Sequence, residues 1–132
     1  MMSRSIAGAK DVEQAFEILS SKPRKAVKDY MTEKPEGVGN FLYDFRAAFK
    51  KYQCYYRVDP FKDTHLELDQ VPAIKAFSDF ILTWLSGHGE EENRVIQKYG
   101  VSFQKIRGFA AALIHVCGTA MEHGYGLAGI GD

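Results

Sequence analysis

HVCGTAMEHGYGLAGIGD, residues 115 to 132, closes the chain, and its reading decides the rest. It holds five glycines, two histidines, one cysteine and one methionine, and only Glu122 and Asp132 are charged. Two readings compete: the ligands of a metal or haem, or the small-residue end of a helix made to lie against something. His115 and His123 are eight residues apart, about 12 Å along a helix that rises 1.5 Å per residue. A straight helix cannot bring both to one ion. Tetrahedral zinc needs three or four converging ligands, and the chain has no CxxC, HxxxH or HExxH. The reading is therefore packing, with no metal and no cofactor.

Upstream, Phe103, Ile106, Ala110, Leu113, Cys117 and Met121 recur at helical spacing, Ser102 can cap the start and Gly124 can stop the end. The opposite face carries Gly108, Ala111, Ala112, His115, Gly118, Thr119 and Glu122. Glycine inside a helix costs about 1 kcal/mol relative to alanine, and close approach of another backbone would offset it. After Gly124, the strip 125–132 has Tyr125, Leu127 and Ile130 set among glycines. A solvated tail would be polar, so this one is expected to dock on its own domain or on a neighbouring subunit. The expected protein interface is Gly108, Ala112, His115, Gly118, Thr119, Tyr125, Leu127 and Ile130.

Elsewhere the apolar spacing is helical as well. Val12, Ala15, Phe16 and Leu19 give a first helix over about 8–20, ended by the run to Pro23. A short second helix passes through Val27, Tyr30 and Met31. The third is an unbroken stripe from Gly37 to about Tyr56. The stretch THLELDQVP, Thr64 to Pro72, alternates apolar and polar residues, but one strand without a ladder partner is not stable, so it reads as a loop. Pro72 opens a fourth helix through Leu85, Glu90 to Glu92 open a short fifth, and the sixth is Phe103 to His123. These readings give an all-α, compact single-domain bundle of five to six helices with short loops.

Bulk properties agree with one soluble domain. The chain has 132 residues, 45% hydrophobic and 26% charged, and area scaling gives roughly 7,000 Å² exposed when folded against roughly 21,600 Å² unfolded. The longest uncharged apolar run, Gly108 to Met121, is 14 residues, too short to span a bilayer. No membrane association is expected. MMSRSIAGAKD lacks the apolar centre of a secretory leader, so the expected compartment is the cytoplasm, with Cys54 and Cys117 reduced.

Net charge is zero, yet residues 1–62 carry twelve Lys/Arg against eight Asp/Glu, while residues 63–132 carry five against nine. RAAFKKYQCYYR, Arg46 to Arg57, interleaves Arg46, Lys50, Lys51 and Arg57 with Tyr52, Tyr55 and Tyr56. Cations neutralise phosphates and tyrosine rings stack on bases. Lys22, Arg24, Lys25 and Lys28 form a second basic cluster. A plain amphipathic helix, with aromatics inside and lysines solvated, explains the same pattern, and a pI near 6.9 is low for a dedicated nucleic-acid domain.

Asp59, Asp63, His65, Glu67 and Asp69 lie close together in sequence, but a calcium loop starting at Asp63 would need glycine and glutamate where Leu68 and Ile74 stand. No G-x-S-x-G, P-loop or G-x-G-x-x-G is present. The expected function is non-catalytic association, as a small subunit or adaptor of a larger assembly. The alternative is an RNA- or DNA-binding module built on the third helix, and the third reading is a small enzyme or ligand carrier.

Overall fold

The computed structural model describes residues 4–21, 31–57 and 64–131. Among them the order is β1 (Arg4–Ala9), α1 (Val12–Ser21), β2 (Met31–Lys34), α2 (Val38–Asp44), α3 (Tyr52–Tyr56), β3 (Thr64–Leu66), α4 (Val71–Gly87), α5 (Glu92–Tyr99), α6 (Phe103–His123) and β4 (Gly126–Gly131). The four strands form one antiparallel sheet in the order β2-β1-β4-β3. The fold is therefore mixed α and β, and the all-α expectation is wrong.

Two segments account for the error. Residues 8 and 9 are read from sequence as the start of the first helix and 126–131 as part of a docked tail, yet residues 4–9 and 126–131 pair with each other at the centre of the sheet, Ile6 opposite Gly129 and Gly8 opposite Leu127. Thr64–Leu66, dismissed for want of a ladder partner, finds it in β4. The C-terminal strip does dock, on its own domain, hydrogen-bonded on both sides.

Alternate residues of a strand point to opposite faces, and here the two faces have different covers. Ile6 and Leu127 face a large core with Phe41, Ile74, Phe77, Ile81, Ile106, Leu113 and Val116. Ala7, Ala9, Ala128 and Ile130 face a smaller one, with Met31 and with Val12, Ala15 and Ile18 of α1. The layers are thus α1, the sheet, then α4 and α6.

The central strands are built from small residues because α6 lies almost against them. A Cβ added at Gly8 would stand 3.0 Å from the Ala120 Cβ and 3.4 Å from the Val116 carbonyl oxygen. On the other face, a Cβ at Gly126 would run into the Leu66 carbonyl and come within 3.1 Å of the His65 ring. His65 Nε2 donates to the Ala9 carbonyl at 2.9 Å, so its imidazole clips β3 to the end of β1 over that glycine.

The expected third helix is also broken. It becomes α2, a 3-10 turn at Arg46–Ala48 and α3, with Phe49 extended (φ −114°, ψ 110°) and Lys51 left-handed at φ 70°. The break serves the aromatic core. Phe49 reaches Phe41, Phe77 and Trp84 at centroid distances of 6.0, 6.1 and 6.0 Å, and Tyr55 stacks on Phe77 at 4.5 Å. Ring packing on α4 thus overrides the local period. The fourth helix with its early proline, the fifth after a 3-10 turn, and the sixth with its Ser102 cap and Gly124 stop all form as read. Of the expected second helix, residues 22–30 lie outside the described residues, and Met31 is in β2.

The Gly8–Ala120 contact makes the first prediction. Gly8→Ala overpacks the helix–sheet seam and should lower unfolding free energy by about 1–3 kcal/mol. Ala120→Gly should also destabilise, by about 1 kcal/mol from helix propensity. In urea titrations the double variant should lose less than the sum, because removing the Ala120 methyl makes room for the new one. Simple additivity would contradict the seam.

Candidate association face and basic aromatic surface

Helix α6 is fixed at both ends by backbone chemistry. Ser102 Oγ accepts from the Lys105 amide at 3.2 Å, and Gly124 takes the left-handed conformation at φ 72°. Phe103, Ile106, Phe109, Ala110, Leu113, Val116, Cys117 and Ala120 bury its inner side. Gln104, Arg107, Gly108, Ala111, His115, Gly118 and Glu122 are exposed. Residues 104, 108, 111, 115, 118 and 122 advance by four and three in alternation, the spacing of a helix-pairing seam. Among the described residues, nothing stands within 4 Å of a Cβ added at Gly108 or Gly118.

The expected interface residues therefore divide. Gly108, His115 and Gly118 share the exposed face. Ala112 is half-buried at its border, and Thr119 is buried. Leu127 and Ile130 are enclosed in the chain's own core and Tyr125 is half-buried against it, so residues 126–130 are spent inside the domain. The helix wheel places Gly108 and Gly118 correctly but gives no sign that Gly8 under Ala120, rather than these glycines, carries the close approach inside the domain.

Both histidines of α6 are exposed. His123 Nδ1 donates to the Thr119 carbonyl at 3.0 Å, and its ring stacks on Tyr125 at 5.5 Å. Among the described residues, no group of three or more His, Cys, Asp or Glu side chains could hold a metal ion. Asp59 and Asp63 of the acidic stretch lie outside the described residues. Burial pushes the Cys117 thiol up to about 12, a shift that Lys75 opposes slightly. It is a small side chain of the core, and burial favours its neutral form.

The second surface is the broken segment between α2 and α3. Arg46, Lys50, Lys51, Tyr56 and Arg57 are exposed, Tyr52 is half-buried and Tyr55 is fully buried. Tyr55 thus belongs to the core and leaves the candidate set. Tyr43, which sequence reading passed over, joins it. It is 50% exposed, and the Arg46 guanidinium lies 4.0 Å over its ring while donating to its carbonyl at 2.6 Å. The signal that could have found it is their i, i+3 spacing. The basic cluster Lys22, Arg24, Lys25 and Lys28 lies outside the described residues.

At the edge of this surface Asp44 is already engaged. Tyr99 donates its hydroxyl to Asp44 at 2.6 Å, and the Lys98 ammonium stands 3.7 Å from the same carboxylate and 5.5 Å over the Tyr99 ring. These contacts tie α2 to α5. Gly37, left-handed at φ 90°, lets the start of α2 pass the Tyr99 carbonyl, where any Cβ would clash.

No helix among the described residues is long and apolar enough to cross a membrane. No protein-family model matches the chain, and neither a curated protein nor a solved structure does.

Tyr99 yields the second prediction. Burial, then the hydrogen bond and charge of Asp44, push its phenol up to about 12 from 10.0. The folded value lies above the unfolded one, so the stability it contributes is full below pH 10 and drains away as pH rises through 12. Absorbance titration of the native protein should show late-ionising phenol that includes Tyr99, and Asp44→Asn should bring the Tyr99 share part of the way down. Seven phenols titrating together near 10 would contradict the contact.

Proposed function

We propose that this chain is a non-catalytic subunit that works by protein–protein association, and that the exposed face of α6 is the contact. The observation that carries the reading is the open space over Gly108 and Gly118. Each glycine costs about 1 kcal/mol of helix stability relative to alanine, and the packing of the described domain repays neither. A second helix lying across them would.

The occupant best supported is a second copy of α6 running antiparallel. The seam is self-complementary in that direction. Gly108 meets the second copy's Gly118, Ala111 meets its His115, and Gln104 meets its Glu122, with Arg107 one turn from that carboxylate. A two-fold axis closes such a contact without leaving a free surface to polymerise. Helix α6 has 21 residues, so the seam runs about 30 Å. By area it lies at the weak end of specific interfaces, as suits a subunit that is held within a larger assembly. A cytoplasmic setting goes with this reading, since Cys54 and Cys117 are both free.

Sedimentation equilibrium from about 5 to 500 µM tests it. The wild type should pass from monomer to dimer within that range. Gly118→Trp should weaken the dimer tenfold or more while leaving the unfolding temperature of the dilute monomer unchanged, because the space it enters is open. A chain that stays monomeric throughout, with Gly118→Trp indistinguishable from it, would overturn the reading.

A further inference from the structure

We infer that the segment from Tyr43 to Arg57 is a contact site for single-stranded nucleic acid, separate from the α6 face. Between Phe45 and Arg57 the chain carries four cations and no carboxylate, and Arg46, Lys50, Lys51 and Arg57 are all exposed. Tyr43 and Tyr56, 50% and 52% exposed, are the most exposed aromatic residues among those described. Charge and exposed aromatic side chains therefore coincide on one stretch of fifteen residues. Within the stretch the one acid is Asp44, engaged by Tyr99 and Lys98; Asp59, just beyond it in sequence, lies outside the described residues.

The core determines how these groups are laid out. Phe45 packs on Trp84 at 5.2 Å, and Tyr52 packs on Phe77 at 5.9 Å, so the segment runs along α4 over seven residues of helix. That is about 10 Å, the length of three stacked bases at 3.4 Å each. At one end the Arg46 guanidinium stands 4.0 Å over the Tyr43 ring, a cation–ring pair that can offer a base both charge and a planar group. At the other, the Tyr56 ring is backed by Tyr52 at 6.0 Å, and the Lys50 ammonium stands 5.7 Å from the Phe80 ring.

Lys51 supports the assignment independently. It is the only non-glycine residue with positive φ among those described. Left-handed backbone costs an L-residue roughly 1–2 kcal/mol, and glycine would adopt it freely. A lysine kept there presents its ammonium at the cost of local strain, a pattern that favours a functional site.

Fluorescence anisotropy of a labelled 15-mer of deoxythymidine and one of uridine, with the whole chain as titrant, tests the inference. Four phosphate contacts on a single strand give a log–log salt slope near −2.8, so affinity should fall about 50-fold between 50 and 200 mM salt. Lys51→Gly relieves the backbone and removes one charge; it should leave the unfolding temperature equal or higher while reducing the slope by about 0.7. Tyr56→Leu should weaken binding fivefold or more, and Tyr56→Phe, which keeps the ring, should restore it. Phosphatidylserine vesicles and inorganic polyphosphate are the comparison probes. No binding of either oligomer at 20 mM salt overturns the inference. So does binding that Tyr56→Leu leaves intact, or a preference for vesicles or polyphosphate over the oligomers.

Discussion

The whole arrangement depends on the contact of two chain ends, β1 and β4, beneath a helix that touches them. The pair Gly8 and Ala120 sets the distance. With a 3.0 Å gap between an added Cβ and the Ala120 methyl, α6 lies on the sheet at nearly backbone-to-backbone range, and only glycine and alanine strands permit that. Close seating brings Leu113, Val116 and Cys117 down onto Ile6 and Leu127. It also leaves the far side of α6 outside the core. The surface available to a partner is thus a consequence of where the helix must sit.

That same economy of side chains hides the sheet from sequence reading. RSIAGA and GLAGIG are short, separated by almost the whole chain, and poor in the branched and aromatic residues that announce strands. Their pairing is non-local, so no hairpin turn marks it. β3 is visible as alternation in THLELD, but its ladder partner is more than fifty residues away, where no local pattern announces it. Helices α4 and α6, by contrast, are long and periodic with proper start and stop signals, and they form where the pattern places them. The stripe from Val38 to Tyr52 shows the limit of periodicity. Its aromatic residues do reach the core, but through a kinked path that lets Phe49 and Tyr55 meet Phe77.

For the candidate sites, legibility follows exposure. Charged residues of RAAFKKYQCYYR are on the surface as their chemistry demands, whereas the tyrosines could be sorted only by tertiary packing: Tyr55 in, Tyr52 between, Tyr56 out. Sequence marks α6 as a helix with one small-residue face, and that face is exposed. The apolar tail reads as a second contact element beside it, and the sheet claims the tail instead. The proposed association face and the proposed nucleic-acid contact thus lie on different elements, one on α6 and one along α4.

Amide hydrogen exchange across β4 tests the closure of the chain ends most directly. Residues 127–129 are paired with both β1 and β3, so the amides of Leu127, Ala128 and Gly129 should include some that exchange only through global unfolding, as slowly as those of Leu113 to Cys117 in α6. Exchange of the whole strip at the rate of an unstructured peptide, with α6 still protected, would contradict the central sheet and the seating of the helix upon it.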